Sequence, residues 1–173
     1  MLENYQVLAG VISAHPNHQV EGRIRLHKTI RLLQRIGLPT DYTFSFHFDG
    51  PYSQELHSDL KMIMQTGLGT EECRLSRKGD EFFVLKAVSK VRLTVLDRFQ
   101  SSIERIGAAD IQTLEFASVY DQCREMGSSH QDALNRVRTK TGRSHDGRRA
   151  DFALTLLREL GLPAGARAMR ASA

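Results

Sequence analysis

Apolar residues recur at Leu2, Tyr5, Leu8, Val11 and Ile12 with the three-and-four spacing that predicts an amphipathic helix over residues 2–14, ended by His15-Pro16-Asn17. A second helix is predicted over residues 22–36. Leu26, Ile30 and Leu33 share one of its faces, while Arg25, Lys28, Arg31 and Arg35 gather on the other, and Gly37-Leu38-Pro39 stops it. Tyr42, Phe44, Phe46 and Phe48 then alternate with Thr43, Ser45 and His47, the period of a strand with a buried aromatic face. Asp49-Gly50-Pro51 turns the chain, and Ser53 is placed to cap a third helix reaching about residue 65. Glu55 sits in its first turn, and Leu56, Leu60, Ile63 and Met64 form its apolar stripe.

Residues 73–77 and 82–85 flank Lys78-Gly79-Asp80, which has the turn chemistry of a β-hairpin. The order helix, helix, strand, helix, hairpin is close to that of a winged helix. Beyond it, Val88, Val91, Val95, Phe99, Ile103 and Ile106 trace a long fourth helix. Phe116, Val119, Tyr120 and Cys123 trace a fifth from near Asp110, and shorter helices are expected over residues 129–137 and 144–160. The expected fold is thus mainly α with a small β-hairpin or sheet. A winged-helix-like core over residues 1–87 carries a helical extension over 88–163, packed on that core or mediating a homodimer, and 164–173 read as a frayed tail.

With 173 residues, 40% of them hydrophobic, the chain is long enough for one well-filled domain. Two distant cysteines, Cys73 and Cys123, exclude a disulfide scaffold and fit a reducing cytoplasm. No run of eighteen apolar residues and no signal-like start occurs, so no membrane span is expected. The net charge of +4 is unevenly distributed: from residue 131 onward nine Lys and Arg face four acids, which leaves residues 1–130 about neutral.

The histidines do not fall into metal-ligand spacing. His15 and His18 lie in a Pro-Asn loop without a partner cluster, and His57 and Asp59, two apart on a helix, diverge by roughly 200°. The set His47, Asp49, His57 and Asp59 reads better as capping and solvent-facing groups than as a metal or catalytic centre. Gly67-Leu68-Gly69 lacks a phosphate-loop continuation and is followed by Glu71 and Glu72; no nucleophile elbow is present, and Cys73 has no local base. No metal, cofactor or catalytic residue is therefore expected. As a DNA reader the third helix is poor, because it sets Glu55 and Asp59 against Lys61.

The run Glu21-Gly22-Arg23-Ile24-Arg25-Leu26-His27-Lys28, followed by Leu32-Leu33-Gln34 and by Gly50-Pro51-Tyr52-Ser53-x-x-Leu56-x-x-Asp59-Leu60, resembles the YwgA-like family of small bacterial and archaeal proteins. It is more distantly similar to the SocA-like Panacea antitoxin domain. The resemblance covers about residues 20–70, with Arg31 standing where the family pattern has an aromatic or apolar residue. It implies a winged-helix-like core with no established catalytic activity, a setting near phage-related genes and, through the Panacea group, toxin neutralisation by protein contact.

The expectation is a non-enzymatic, cytoplasmic protein-interaction module. Tyr52, Glu55, His57, Asp59, Arg25 and Lys28 are its candidate partner-binding residues. The alternative is a DNA-binding regulator that contacts phosphates through Arg31, Arg35, Arg74, Arg77, Lys78, Arg148 and Arg149.

Overall fold

A computed structural model describes residues 3–47, 50–88, 91–141 and 147–165. Helix α1 (Asn4–Ala14) starts where the Glu3 backbone N–H donates to the Gln6 side chain at 3.1 Å. Strand β1 (Gln19–Glu21) follows, and Gly22, at φ +92°, turns the chain into α2 (Arg23–Arg35) while its N–H donates to Phe83 O at 2.8 Å. Few side chains tolerate that backbone region, so a glycine begins this helix. A short hairpin, β2 (Ser45–His47) with β3 (Gly50–Tyr52), leads to α3 (Gln54–Gln65), whose Leu56 N–H donates to the Ser53 cap oxygen at 3.3 Å. Strands β4 (Gly69–Leu75) and β5 (Glu81–Ala87) complete an antiparallel sheet in the order β1-β5-β4. Helices α1, α2 and α3 with that sheet make the winged-helix-like core, with β4–β5 as its wing.

The chain continues through a 3-10 stretch (Thr94–Phe99), α4 (Gln100–Ala108), α5 (Ile111–Glu125), α6 (His130–Thr141) and α7 (Gly147–Glu159). Asp110 starts α5 by accepting from the Gln112 and Thr113 N–H groups at 3.0 Å each. Between α2 and β3 on one side and α6 and α7 on the other, α5 buries residues on all its faces, Asp121 and Gln122 included. One apolar core runs from Val7 in α1 to Leu162 beyond α7, so the helical extension packs on the winged core.

Several expectations are corrected. The aromatic strand over 42–48 contracts to β2, because only the three residues of β3 pair with it and the two-stranded hairpin leaves Phe46 45% exposed. Tyr42 is buried ahead of the strand, and Phe48 lies outside the described residues. β1 has no counterpart in the expected elements: Val20 is fully buried opposite Leu85, yet its neighbours Gln19 and Glu21 give too short a run to show an alternation. Of the long fourth helix only the second half is α-helical: residues 91–93 are not helical and 94–99 form the 3-10 stretch. Val88 is exposed, Leu93 and Leu96 lean on Gly10 so closely that a Cβ there would meet them at 3.0 and 2.7 Å, and the α-helix proper begins at Gln100. Of the expected tail, Ala164 packs against the core and Gly165 N–H donates to the Tyr120 hydroxyl at 3.3 Å, while 166–173 lie outside the described residues.

Candidate functional site

The two segments of the sequence motif meet in space. Gly50, at φ +98°, lies over the side chain of Lys28 and against α5: a Cβ there would sit 3.5 Å from Lys28 Nζ and 3.4 Å from Val119 Cγ2. Next along the chain, Tyr52 stacks on the His27 imidazole with ring centroids 4.6 Å apart and planes 14° apart. Ser53 then caps α3 with its hydroxyl while its backbone N–H donates to His27 Nδ1 at 3.2 Å. Tyr52 and Ser53 therefore fasten the start of α3 to α2.

This junction leaves a cleft of about 320 Å³ lined by Arg23, Ile24 and His27 of α2, Pro51 and Tyr52 of β3, and His57 of α3. His47 adds a third imidazole, 5.0 Å from the Tyr52 ring centroid, and His57 lies 6.3 Å from it on another side. Arg23 Nε and Nη2, one edge of its guanidinium, both donate to the Glu71 carboxylate, and the same group lies 5.4 Å from the Phe83 ring. Ile24, Phe46 and Phe83, 46%, 45% and 42% exposed, set large apolar side chains on the cleft wall and on the two elements that flank it.

The chemistry of the cleft centres on His27, which is 3% exposed. Because Ser53 donates to Nδ1, the neutral ring carries its proton on Nε2, and that atom is buried without a hydrogen-bond partner among the described residues. Burial first, then the charges of His57 and Lys28, lower the ring's pKa to about 4, so it is a neutral donor at physiological pH. Burial and the neighbouring Lys61 and Arg23 also lower His57. Among the described residues no cluster of three or more His, Cys, Asp or Glu is arranged to hold a metal ion.

The candidate partner residues do not form one surface. Tyr52 and His57 line the cleft; Asp59, two residues on, points elsewhere, accepts from the Tyr42 hydroxyl at 2.8 Å and lines a separate hollow with Asp41 and Glu3. Glu55 is exposed and accepts from the Ser53 hydroxyl at 2.7 Å. Arg25 is half-buried and donates to Ala109 O at 2.8 Å, and Lys28 is 1% exposed, so neither presents its charge to a partner.

The basic face expected on α2 is likewise internal. Arg31, 4% exposed, pairs with Glu125 and lies 3.6 Å from Asp121, while Arg35 donates to both Asp121 oxygens at 2.9 and 3.3 Å. Asp121 is fully buried. Arg31 and Arg35 are four apart on α2, and Asp121 and Glu125 are four apart on α5, so two facing helices match charge for charge. Neither arginine is available to nucleic-acid phosphate. In the wing, Arg74 donates to Glu72 at 3.0 Å while Arg77 and Lys78 project from the tip; on α7, Arg148 is exposed and Arg149 half-buried.

His27, Arg23 and Ile24 were absent from the candidate set. Their signal was membership of the motif's first segment, Glu21 to Lys28, in which Arg23 and His27 lie four apart on one helical face. No described helix is long and apolar enough to cross a membrane. No family model, no curated protein and no solved structure matches the chain.

Proposed function

We propose that this protein is a non-enzymatic protein-interaction module whose docking surface is the Tyr52 cleft and its apolar rim. The observation that carries this reading is the exposure of Ile24 on the wall of a cleft lined by aromatic and imidazole rings, with the exposed Phe83 ring beside Arg23 at its edge. Apolar and aromatic side chains clustered at a concave surface are the usual anchors of protein contacts. The likeness of Gly50-Pro51-Tyr52-Ser53 to the YwgA-like and Panacea pattern supports a toxin-antitoxin or phage-defence setting. The elements with which a winged helix reads DNA argue in the same direction: α3 sets two acids against one lysine, and β4–β5 balances four acids with four bases.

The test is affinity capture of full-length protein from its native host, with wild type beside an Ile24→Ser, Tyr52→Ala variant. Loss of the captured partner from the folded variant is the expected result; retention of every wild-type partner would refute the reading.

A second reading, DNA binding, rests on Arg136 and Arg138 of α6 and Arg148 of α7, which are exposed on a basic stretch of the chain. It requires micromolar, salt-sensitive binding to duplex DNA that weakens when these three arginines become glutamine.

A further inference from the structure

The sheet of the winged core ends on two unlike edges. On one side lies β1, three residues long; on the other, β4 runs for seven residues with no proline and in unbroken register with β5. An edge of that kind presents N–H and C=O groups that a further strand can satisfy. Which groups these are follows from the pairs at the two ends of β4. Ser76 N–H donates to Asp80 O at 2.8 Å and Val88 N–H to Leu68 O at 3.0 Å, so positions 68 and 76 turn their backbone toward the β5 side. Antiparallel pairs alternate, hence Thr70, Glu72 and Arg74 do the same, while Glu71, Cys73 and Leu75 turn theirs outward. Among the described residues no backbone hydrogen bond from another element reaches these three.

The side chains of the edge divide by face. Beyond Glu71, which Arg23 holds, one face is apolar: Cys73 is exposed and stands opposite Phe83, 42% exposed, and Leu75 two residues on is 69% exposed. The other face carries Glu72 and Arg74, whose side chains are 45% and 39% exposed. Arg74 donates to Glu72 at 3.0 Å and Lys86 at 2.8 Å, surface contacts weak enough to rearrange.

A second copy of this strand fits the edge in one register. The outward groups of both copies must face each other, so a two-fold axis passes through a residue and not between two. An axis at Glu71, Glu72 or Arg74 sets like charges directly opposite, which is destabilising, and an axis nearer either end leaves only a short overlap. An axis at Cys73 sets Glu72 opposite Arg74 twice, at the closer, non-hydrogen-bonded pairs. Cys73 then exchanges backbone hydrogen bonds with its counterpart, and Glu71 with Leu75. On the apolar face Phe83, Cys73 and their counterparts form one row across the junction, with both Leu75 side chains beside it.

We propose that the chain self-associates through β4, antiparallel about a two-fold axis at Cys73, so that two sheets join into one. None of Glu72, Cys73, Arg74 and Leu75 lines the Tyr52 cleft, so this dimer and the partner reading stand or fall separately.

Sedimentation equilibrium of the full-length protein from about 1 μM to about 1 mM provides the test, because an overlap of residues 71–75 is far smaller than a standard interface and association in the micromolar range is expected. Cys73→Pro removes one outward N–H and leaves every bond to β5 in place; it should abolish the dimer while the monomer keeps its circular dichroism. Arg74→Glu and Glu72→Arg should each weaken association at least about tenfold, since each sets like charges opposite twice, and the double variant should regain wild-type association to within about threefold. A monomer throughout that range, a dimer that survives Cys73→Pro, or a double variant no better than the single ones would overturn the pairing. If Cys73→Pro does not fold, Arg74→Glu and the double variant decide.

Discussion

Two regions along α2 put similar side chains to opposite uses. Near the C-terminal end of the helix, Arg31 and Arg35 run into Asp121 and Glu125 of α5, and every charge in that seam has a counter-charge within 4 Å. Two turns earlier, Arg23 and His27 border an open cleft, with Arg23 bound to Glu71 on the outer rim and His27 Nε2 left unmatched inside. The difference lies in what the helix faces. At the seam a second helix supplies acids at the same four-residue spacing; at the cleft the facing elements are β3 and the start of α3, which offer rings and a backbone N–H. The charges of the seam are thus matched within the fold, whereas His27 Nε2 is not.

The sharpest way to break this contrast is at Asp121. Replacing it with alanine leaves two guanidinium groups, one of them almost fully buried, with only Glu125 between them. Burial already holds Arg31 below its usual pKa against the pull of Asp121 and Glu125. Removing one partner of a buried pair costs about 3–5 kcal/mol, and the partial exposure of Arg35 and Glu125 argues for the lower end. Thermal unfolding of Asp121→Ala should therefore fall by roughly 6–12 °C for a chain of this length. A variant that melts with wild type would show that the seam contributes nothing and that the contrast is only one of geometry.

Acid provides the next test, because the imidazoles have no counter-charge comparable to those in the seam. His15 and His27 are both buried, and burial is the first cause that lowers each to about 4; Arg25 adds to it at His15, and His57 and Lys28 add to it at His27. Each folded value lies below that of a free imidazole, about 6.5. The unfolded chain therefore binds more protons between pH 6.5 and 4. Stability is complete above that window and is lost as the pH falls through it, by roughly 2–3 kcal/mol for each ring. Urea unfolding at pH 7 and pH 5 should show the loss, and His15→Phe with His27→Phe should flatten it. A pH-independent midpoint in the wild type between those values would contradict the buried, neutral state of both rings.

The same contrast explains what could be read from the chain before the structure. Strong three-and-four patterns marked α1, α2, α3, α5 and α7 to within a few residues, and the Lys78-Gly79-Asp80 turn marked the wing. Periodicity along one segment says which residues share a face, but not what that face meets. Lys28 and Arg31 were thus assigned to solvent although α5 and Gly50 cover them. The matched spacing of Asp121 and Glu125 was visible, yet the pairing of α2 with α5 bridges some ninety positions and no local rule announces it. For the candidate site, Tyr52 is a motif residue and His57 is an exposed polar neighbour of the motif. His27 was hidden because a histidine within a leucine-rich helix looks like core until Ser53 and Tyr52 are seen to close on it.

The smallest expected effect concerns the wing, the region where exposed basic residues most invite a DNA reading. Its turn is built without them: Ser76 N–H donates to Asp80 O at 2.8 Å, Gly79 N–H to Ser76 O at 3.0 Å, and the Ser76 hydroxyl accepts from the Lys78 and Asp80 N–H groups at 3.2 and 3.1 Å. Arg74 is paired with Glu72, an exposed contact that also serves Lys86, and such surface pairs contribute about 0–1 kcal/mol. Changing Arg74, Arg77 and Lys78 together to glutamine should thus shift stability by less than about 1 kcal/mol. It also separates the two functions a winged core can serve. Three lost phosphate contacts would lower the slope of log K against log salt for duplex DNA by about 2.7. With the wing balanced by Glu71, Glu72, Asp80 and Glu81, the slope should change by less than about 1, because any residual attraction to DNA comes from the arginines of α6 and α7. A fall of the full size would place the wing on the phosphate backbone and make the Tyr52 cleft secondary to it.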